Sequence, residues 1–233
     1  MTIDIQKSSW VAPSRPSVSL WYLIFVLPIV AAMAFAIFQP IQVLPRISLA
    51  PGYSYIDQDG NRFTNEDLRG SLVLYTFTHS RCAAPCVSTS TTLASLQPAL
   101  AEIDTGDIPL QFVSISVDPD HDTPNVLRNY ASSLGVDTGH WHFVTGDATQ
   151  LKNVTGAGFR TYYGKNSQGN LTVDPVFALV DGWGVLRAVY RTATPDVEIL
   201  KRDLRLVVQE IQNSTGVNRY AYEAAHLFLC YPK

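Results

Sequence analysis

Apolar residues fill one unbroken block near the start of the chain and afterwards recur in two shorter rhythms. Residues 20–38 read LWYLIFVLPIVAAMAFAIF, and no charge occurs between Arg15 and Arg46. A helix of about 20 apolar residues matches the hydrocarbon thickness of a bilayer, so this block is expected to be a transmembrane helix. Pro28 is tolerated inside such a helix, and Trp21 and Tyr22 stand where interfacial aromatics collect. Lys7 and Arg15 precede the block and Arg46 comes after it, a bias that places residues 1–19 in the cytoplasm and the rest outside. The competing reading is a cleaved signal peptide, since Ala34-Phe35-Ala36 has the small-x-small pattern. Signal h-regions are shorter than this block, and both readings export the remainder of the chain.

Beyond the block, residues 39–52 hold Pro40, Pro45 and Pro51 and read as an irregular stalk. YSYIDQDGNRFT (53–64) suggests a hairpin turning at Asp59-Gly60. SLVLYTFT (71–78) and IPLQFVSISV (108–117) are apolar runs rich in strand formers, as buried central strands are. Between them, residues 87–104 carry Leu93, Leu96, Leu100 and Ile103 at helical spacing, interrupted by Pro98. Thr123-Pro124 opens a further helix that Gly135 closes. HWHFVTGD (140–147) reads as a strand and turn, and residues 174–191 as two strands about a glycine turn. Residues 195–212 form an amphipathic helix with Val197, Leu200, Leu204, Val207, Val208 and Ile211 on one face. Alternating strands and helices, then a hairpin and a last helix, give an α/β domain over 53–215: a mixed sheet with helices on both faces. Residues 216–233 remain as a C-terminal tail.

A formal charge of −3 argues against nucleic acid as a partner, since binders of it show a basic face. Chemistry concentrates in HSRCAAPC (79–86). Cys82 and Cys86 fall just after a strand and just before a helix, whose first turn presents unpaired N–H groups that favour thiolate. Two thiolates four residues apart can close a disulfide or grip one Cu(I), and are too few for a structural zinc site. The alternative is a static disulfide in an oxidising compartment.

These residues resemble the SCO/SenC family. The resemblance runs from about Tyr53 to Ile211 and rests on LVLYTFTHSRCAAPC (72–86), VSISVDPDHDTPNVLRNYASSLG (113–135), WHFVTGD (141–147) and LVDGWG (179–184). It implies a thioredoxin-like fold behind a membrane anchor, and copper delivery or thiol reduction during assembly of a haem–copper oxidase. It also implies that Cys82 and Cys86 bind copper and are redox-active, with a copper-containing oxidase subunit or another respiratory complex as partner. Asp118, with Asp120 and Asp122, is expected to shape the turn before Thr123. Two positions depart from the family pattern. The family's ligand histidine maps to Val173, and the proline after the second cysteine is Val87, with Pro85 on its other side.

Pro175, ahead of VFALVDGWG, resembles the cis-proline of thioredoxin-like reductases, which lies beside the redox cysteines; the plain reading is a trans proline at a strand start. No methionine occurs after Met33, so a further copper ligand has to come from His79, His121, His140, His142 or His226. In the tail, His226 and Cys230 stand four apart, on one face of any helix there, and are candidate ligands; packing or docking of that segment is the competing reading. Asn153, Asn170 and Asn213 each begin an acceptor triplet for glycosylation. Three functions fit these features. They are an SCO-like assembly protein at the cell membrane, a copper-independent thiol–disulfide oxidoreductase, and a non-catalytic subunit of a respiratory complex.

Overall fold

The computed structural model describes residues 20–38, 41–82 and 88–228. The chain forms two compact units, 1–40 and 41–233. In the first, Leu20–Phe38 is one helix (α1) with Pro28 inside it and no charged residue in its first or last turn. Its side chains are described without a break over residues 22–34. Among the described residues no helix is long and apolar enough to cross a membrane.

The second unit is built on a sheet. Its strands are β1 (Ser48–Leu49), β2 (Ser54–Asp57), β3 (Arg62–Thr64), β4 (Leu72–Thr78), β5 (Leu110–Ser116), β6 (Trp141–Thr145), β7 (Tyr163–Lys165), β8 (Leu171–Val173), β9 (Phe177–Val180) and β10 (Val185–Tyr190). Eight of them join in the order β1-β10-β9-β4-β5-β6-β2-β3, and β7-β8 stand apart as a hairpin. The β4–β5 and β5–β6 pairs are parallel, and the remaining neighbours antiparallel. Every residue of β4 is buried, as a strand covered on both faces requires.

The alternation along β4 sorts the core into two layers. Leu72 and Leu74 point to one side, with Leu93 and Leu100 of α2 (Thr89–Ala101), Leu127 and Ala131 of α3 (Pro124–Leu134), and Leu200 and Leu204 of α5 (Val197–Asn213). Val73, Tyr75 and Phe77 point to the other, against Leu151 of α4 (Ala148–Leu151), Val154 and Phe159 of the π-turn that continues it, and Val173 of β8. These three helices therefore share one face. The other face is covered by a short helix, a π-turn and a hairpin, of which the sequence pattern marked none.

The expected irregular stalk is partly ordered. Val43 and Leu44 are buried, and Ser48–Leu49 pairs with β10, so the chain joins the sheet well before Tyr53. Three prolines masked this, because they leave no strand rhythm to read. The expected tail also carries an element, α6 (Asn218–Phe228), docked on α5.

Candidate functional site

The site forms where β4 and β5 end. Thr78 and Ser116 are paired at the carboxyl ends of these parallel strands, so the loops beyond them rise side by side. One carries His79, Ser80, Arg81 and Cys82; the other carries Asp118 to Asp122. A cleft of about 680 Å³ opens between them and the β7–β8 hairpin, lined by His79, Arg81, Asp118, Asp120, Lys165 and Thr172 among others.

Cys82 is half-buried beside this cleft, and its sulfur is held in a disulfide. Its backbone N–H donates to the His79 carbonyl at 3.1 Å, closing a tight turn directly after β4. Cys86, with Pro85 and Val87, lies outside the described residues. α2 starts at Thr89, two residues later than the sequence suggested, capped by the Ser88 side chain, which accepts from the Thr91 N–H.

Asp122 braces the turn. Its carboxylate is buried, accepts from the Ser80 N–H at 2.9 Å, and is hydrogen-bonded by the Ser80, Ser116 and His121 side chains. Burial opposes its ionisation, but the hydrogen bonds from His121, Ser116 and Ser80 outweigh that and hold its pKa below the ordinary range. Asp118 pairs with Arg81, and its own backbone carbonyl accepts from the His121 and Asp122 N–H groups. The acidic loop thus does more than shape the start of α3: it fixes the residues that lead into Cys82. Asp118, His121 and Asp122 offer ligand atoms within 4.8 Å of one another, but those atoms are engaged in the pairs just described.

His79 is 3% exposed and forms part of the cleft wall. Burial pushes its pKa below the ordinary histidine value; the nearby carboxylates of Asp118 and Asp122 and a hydrogen bond with the Leu171 backbone pull the other way and are outweighed. Its imidazole is therefore neutral at neutral pH. That is the state in which a histidine binds a metal, and a backbone partner on one ring nitrogen sets the direction of the other.

The remaining sequence candidates fall elsewhere. Val173, the position to which the sequence resemblance maps a ligand histidine, is buried in the core and paired with Tyr163. Continuing the β4–β9 register from Thr76–Phe177 puts Pro175 level with Thr78, at the cysteine end of the sheet. His142 pairs with mid-strand Val113 and stacks on Phe63 at 4.3 Å, away from the cleft.

His226, a candidate ligand in the sequence, is not among the residues lining the cleft. Its Nε2 lies 2.9 Å from Glu210, whose carboxylate also binds Arg46 at 2.9 Å and Arg187. Arg187 in turn holds Asp181 at 2.9 Å, and Asp181 comes directly after Val180, the partner of Val73 at the start of β4. The length of β4, roughly 20 Å, separates this cluster from Cys82. Cys230 lies outside the described residues.

A sequence model of the family described as SCO1/SenC matches residues 44–209. The chain belongs to the SCO1/SenC family. The match starts at Leu44, the residue with which the ordered part of the supposed stalk enters the core. Among relatives, an SCO2-like protein of Rickettsia prowazekii is 31% identical over 127 residues, 54% of this chain and 58% of that one. An SCO1 protein homolog of Bacillus subtilis is 30% identical over 95 residues, 40% of this chain and 47% of its own. The chain thus spans about half the length of these relatives.

The solved structure of an SCO1/SenC family lipoprotein from Bacillus anthracis superposes with a TM-score of 0.62 at 27% identity, covering 72% of this chain and 98% of the other. Arabidopsis thaliana ScoI, solved with copper bound, gives 0.58 at 25% identity, covering 71% and 99%. BsSco, described as a Sco-family cytochrome c oxidase assembly protein with a disulfide switch, gives 0.62 at 22% identity, covering 73% and 98%, a likeness of fold alone. The fold is accordingly the mixed α/β fold of the solved Sco proteins.

Proposed function

We propose that this chain is a membrane-anchored, exported Sco protein that handles Cu(I) and cysteine redox state during assembly of the copper site of a haem–copper oxidase. The observation that carries the reading is Cys82, held in a disulfide on a braced turn beside a cleft walled by a neutral imidazole. The copper bound in the Arabidopsis relative supports the metal, and the uncharged apolar run of residues 20–38 in the sequence supports the anchor.

In the reduced protein the Cys82 thiolate attacks one sulfur of a disulfide on the target. The target S–S bond breaks, a mixed disulfide forms, and the second target sulfur leaves as a thiolate. Cys86 then attacks the Cys82 sulfur, closes the disulfide within this chain and releases the target fully reduced. Two electrons pass to the target and this chain is oxidised by two. In this reading Pro175, at the same end of the sheet, receives the substrate backbone.

Copper is cargo. The thiolates of Cys82 and Cys86 suit Cu(I), and His79 supplies the imidazole that Val173 cannot. Burial of Val173 also favours a second reading, a copper-independent oxidoreductase, because the usual third ligand position faces the core. The test is complementation. A strain lacking this chain should lose oxidase activity, regain it with the wild-type chain and stay inactive with Cys82→Ser. Full rescue by Cys82→Ser would leave a non-catalytic accessory subunit.

A further inference from the structure

Six of the apolar side chains left uncovered by the second unit lie toward one end of it, apart from Ile56, Tyr162 and Ile199. Ile47, Leu49, Trp183, Val217, Tyr220 and Leu227 are 51–84% exposed. Backbone contacts tie their elements together. The Ile47 N–H donates to the Leu186 carbonyl at 2.9 Å, and the Ala50 N–H to the Gly184 carbonyl, next to Trp183, at 2.8 Å. Arg46, adjoining Ile47, reaches Glu223 of α6 at 3.2 Å. Around α6, Val217, Tyr220 and Leu227 keep helical spacing along one face. The opposite face is turned inward, where the Tyr222 hydroxyl donates to the Gln209 carbonyl, His226 meets Glu210, and Ala225 is fully buried. These apolar positions thus share one end of the unit, from α6 past β1 to the β9–β10 turn, with the Arg46–Glu223 ion pair among them. α6 lies beyond the family match, which stops at residue 209.

This end holds the start of β4, whereas Cys82 lies past its other end. The chain also enters the unit here, through buried Val43 and Leu44. In the sequence the apolar run 20–38 precedes Ile47 by nine positions, so a bilayer that holds the run meets this unit at high effective concentration.

We infer that this end is a lipid-facing surface, its aliphatic and aromatic side chains seated at the boundary between headgroups and acyl chains. Trp and Tyr favour that depth because one end of each ring system is apolar and the other polar. The cleft beside Cys82 is then held clear of the lipid by the length of β4, facing a protein target. The inference rests on the anchor reading and adds an orientation to it.

The test uses the full chain with Trp10→Phe and Trp21→Phe, reconstituted below one chain per vesicle into phosphatidylcholine with or without bromine on the acyl chains. The remaining indoles are Trp141, fully buried, and Trp183. Emission should fall by roughly a third or more in brominated vesicles, one of two indoles having reached the acyl boundary, and Trp183→Phe should abolish the fall. Equal emission from both vesicle types in chain that floats with them overturns the inference while leaving the anchor intact. Chain that does not float overturns both. Quenching that survives Trp183→Phe, or shielding of Trp183 that appears only when several chains share a vesicle, also overturns it, the latter pointing to a second copy of the chain.

Discussion

The carboxylate of Asp122, from the loop after β5, accepts a hydrogen bond from the backbone N–H of Ser80, two residues before Cys82, at 2.9 Å. The loop that holds the thiol is thereby pinned by the loop of the neighbouring strand. Asp122→Ala should free Ser80 and leave its part-buried N–H unpaired, costing about 1–3 kcal/mol of stability. Denaturant unfolding measures that loss. The same variant should shift the reduction potential of the Cys82 disulfide, measured by equilibration with glutathione. A shift in stability without a shift in potential would limit Asp122 to a structural role.

Glu210 gathers Arg46, Arg187 and His226 at the other end of the sheet. Burial opposes its ionisation, but hydrogen bonds from His226 and Arg187, the Arg187 charge and the Arg46 bond hold its pKa at about 2. A carboxylate depressed in this way stabilises the fold above its unfolded pKa near 4.5, and the stabilisation is lost as pH falls from there toward 2. Acid titration of the wild type should show that loss. Glu210→Gln should flatten it and lower stability at pH 7 by about 3–5 kcal/mol, since Arg187 is left buried with less compensation.

His79 and His142 give a pH dependence of the same sign in a higher window. Burial lowers both pKa values below 6.5. The unfolded chain takes up these protons first, so stability is greatest above pH 6.5 and declines as pH falls below it. Unfolding measured between pH 8 and pH 5 should show the decline, and His142→Phe should reduce its slope.

Val173→His does not simply restore a ligand. Val173 is 8% exposed and packs in the second layer of the core. An imidazole there should lower the melting temperature, roughly 1–3 kcal/mol of destabilisation, as a polar ring is buried in apolar surroundings. Unchanged stability with a large gain in Cu(I) affinity would show that β8 re-registers to face the cleft.

The long elements were legible in the sequence because two strong rhythms wrote them. β4 and β5 are continuous apolar runs, α5 carries its six-residue stripe, and Gly135 ends α3 in the left-handed conformation at φ 67°. The β7–β8 hairpin and the π-turn at 152–158 were not legible, since each is short, rich in Gly, Thr and Asn, and stabilised by packing on β4 rather than by its own pattern. At the site, the strand-to-loop placement of Cys82 could be read from the sequence. The Asp122–Ser80 brace and the inward turn of His79 could not, because they join residues about forty positions apart that only the parallel β4–β5 pair brings together. The Ser80-x-Cys82 and Asp118-x-x-x-Asp122 spacings at two strand ends were the signal available.

The central claim is that the Cys82 sulfur and the His79 ring act together on Cu(I). Titrating the reduced chain with Cu(I) against a competing chelator tests it directly. One equivalent should bind, Cys82→Ser should lose it, and His79→Ala should weaken it by roughly tenfold or more, about 1.4 kcal/mol. Wild-type affinity in Cys82→Ser, or no difference between His79→Ala and wild type, would contradict the account.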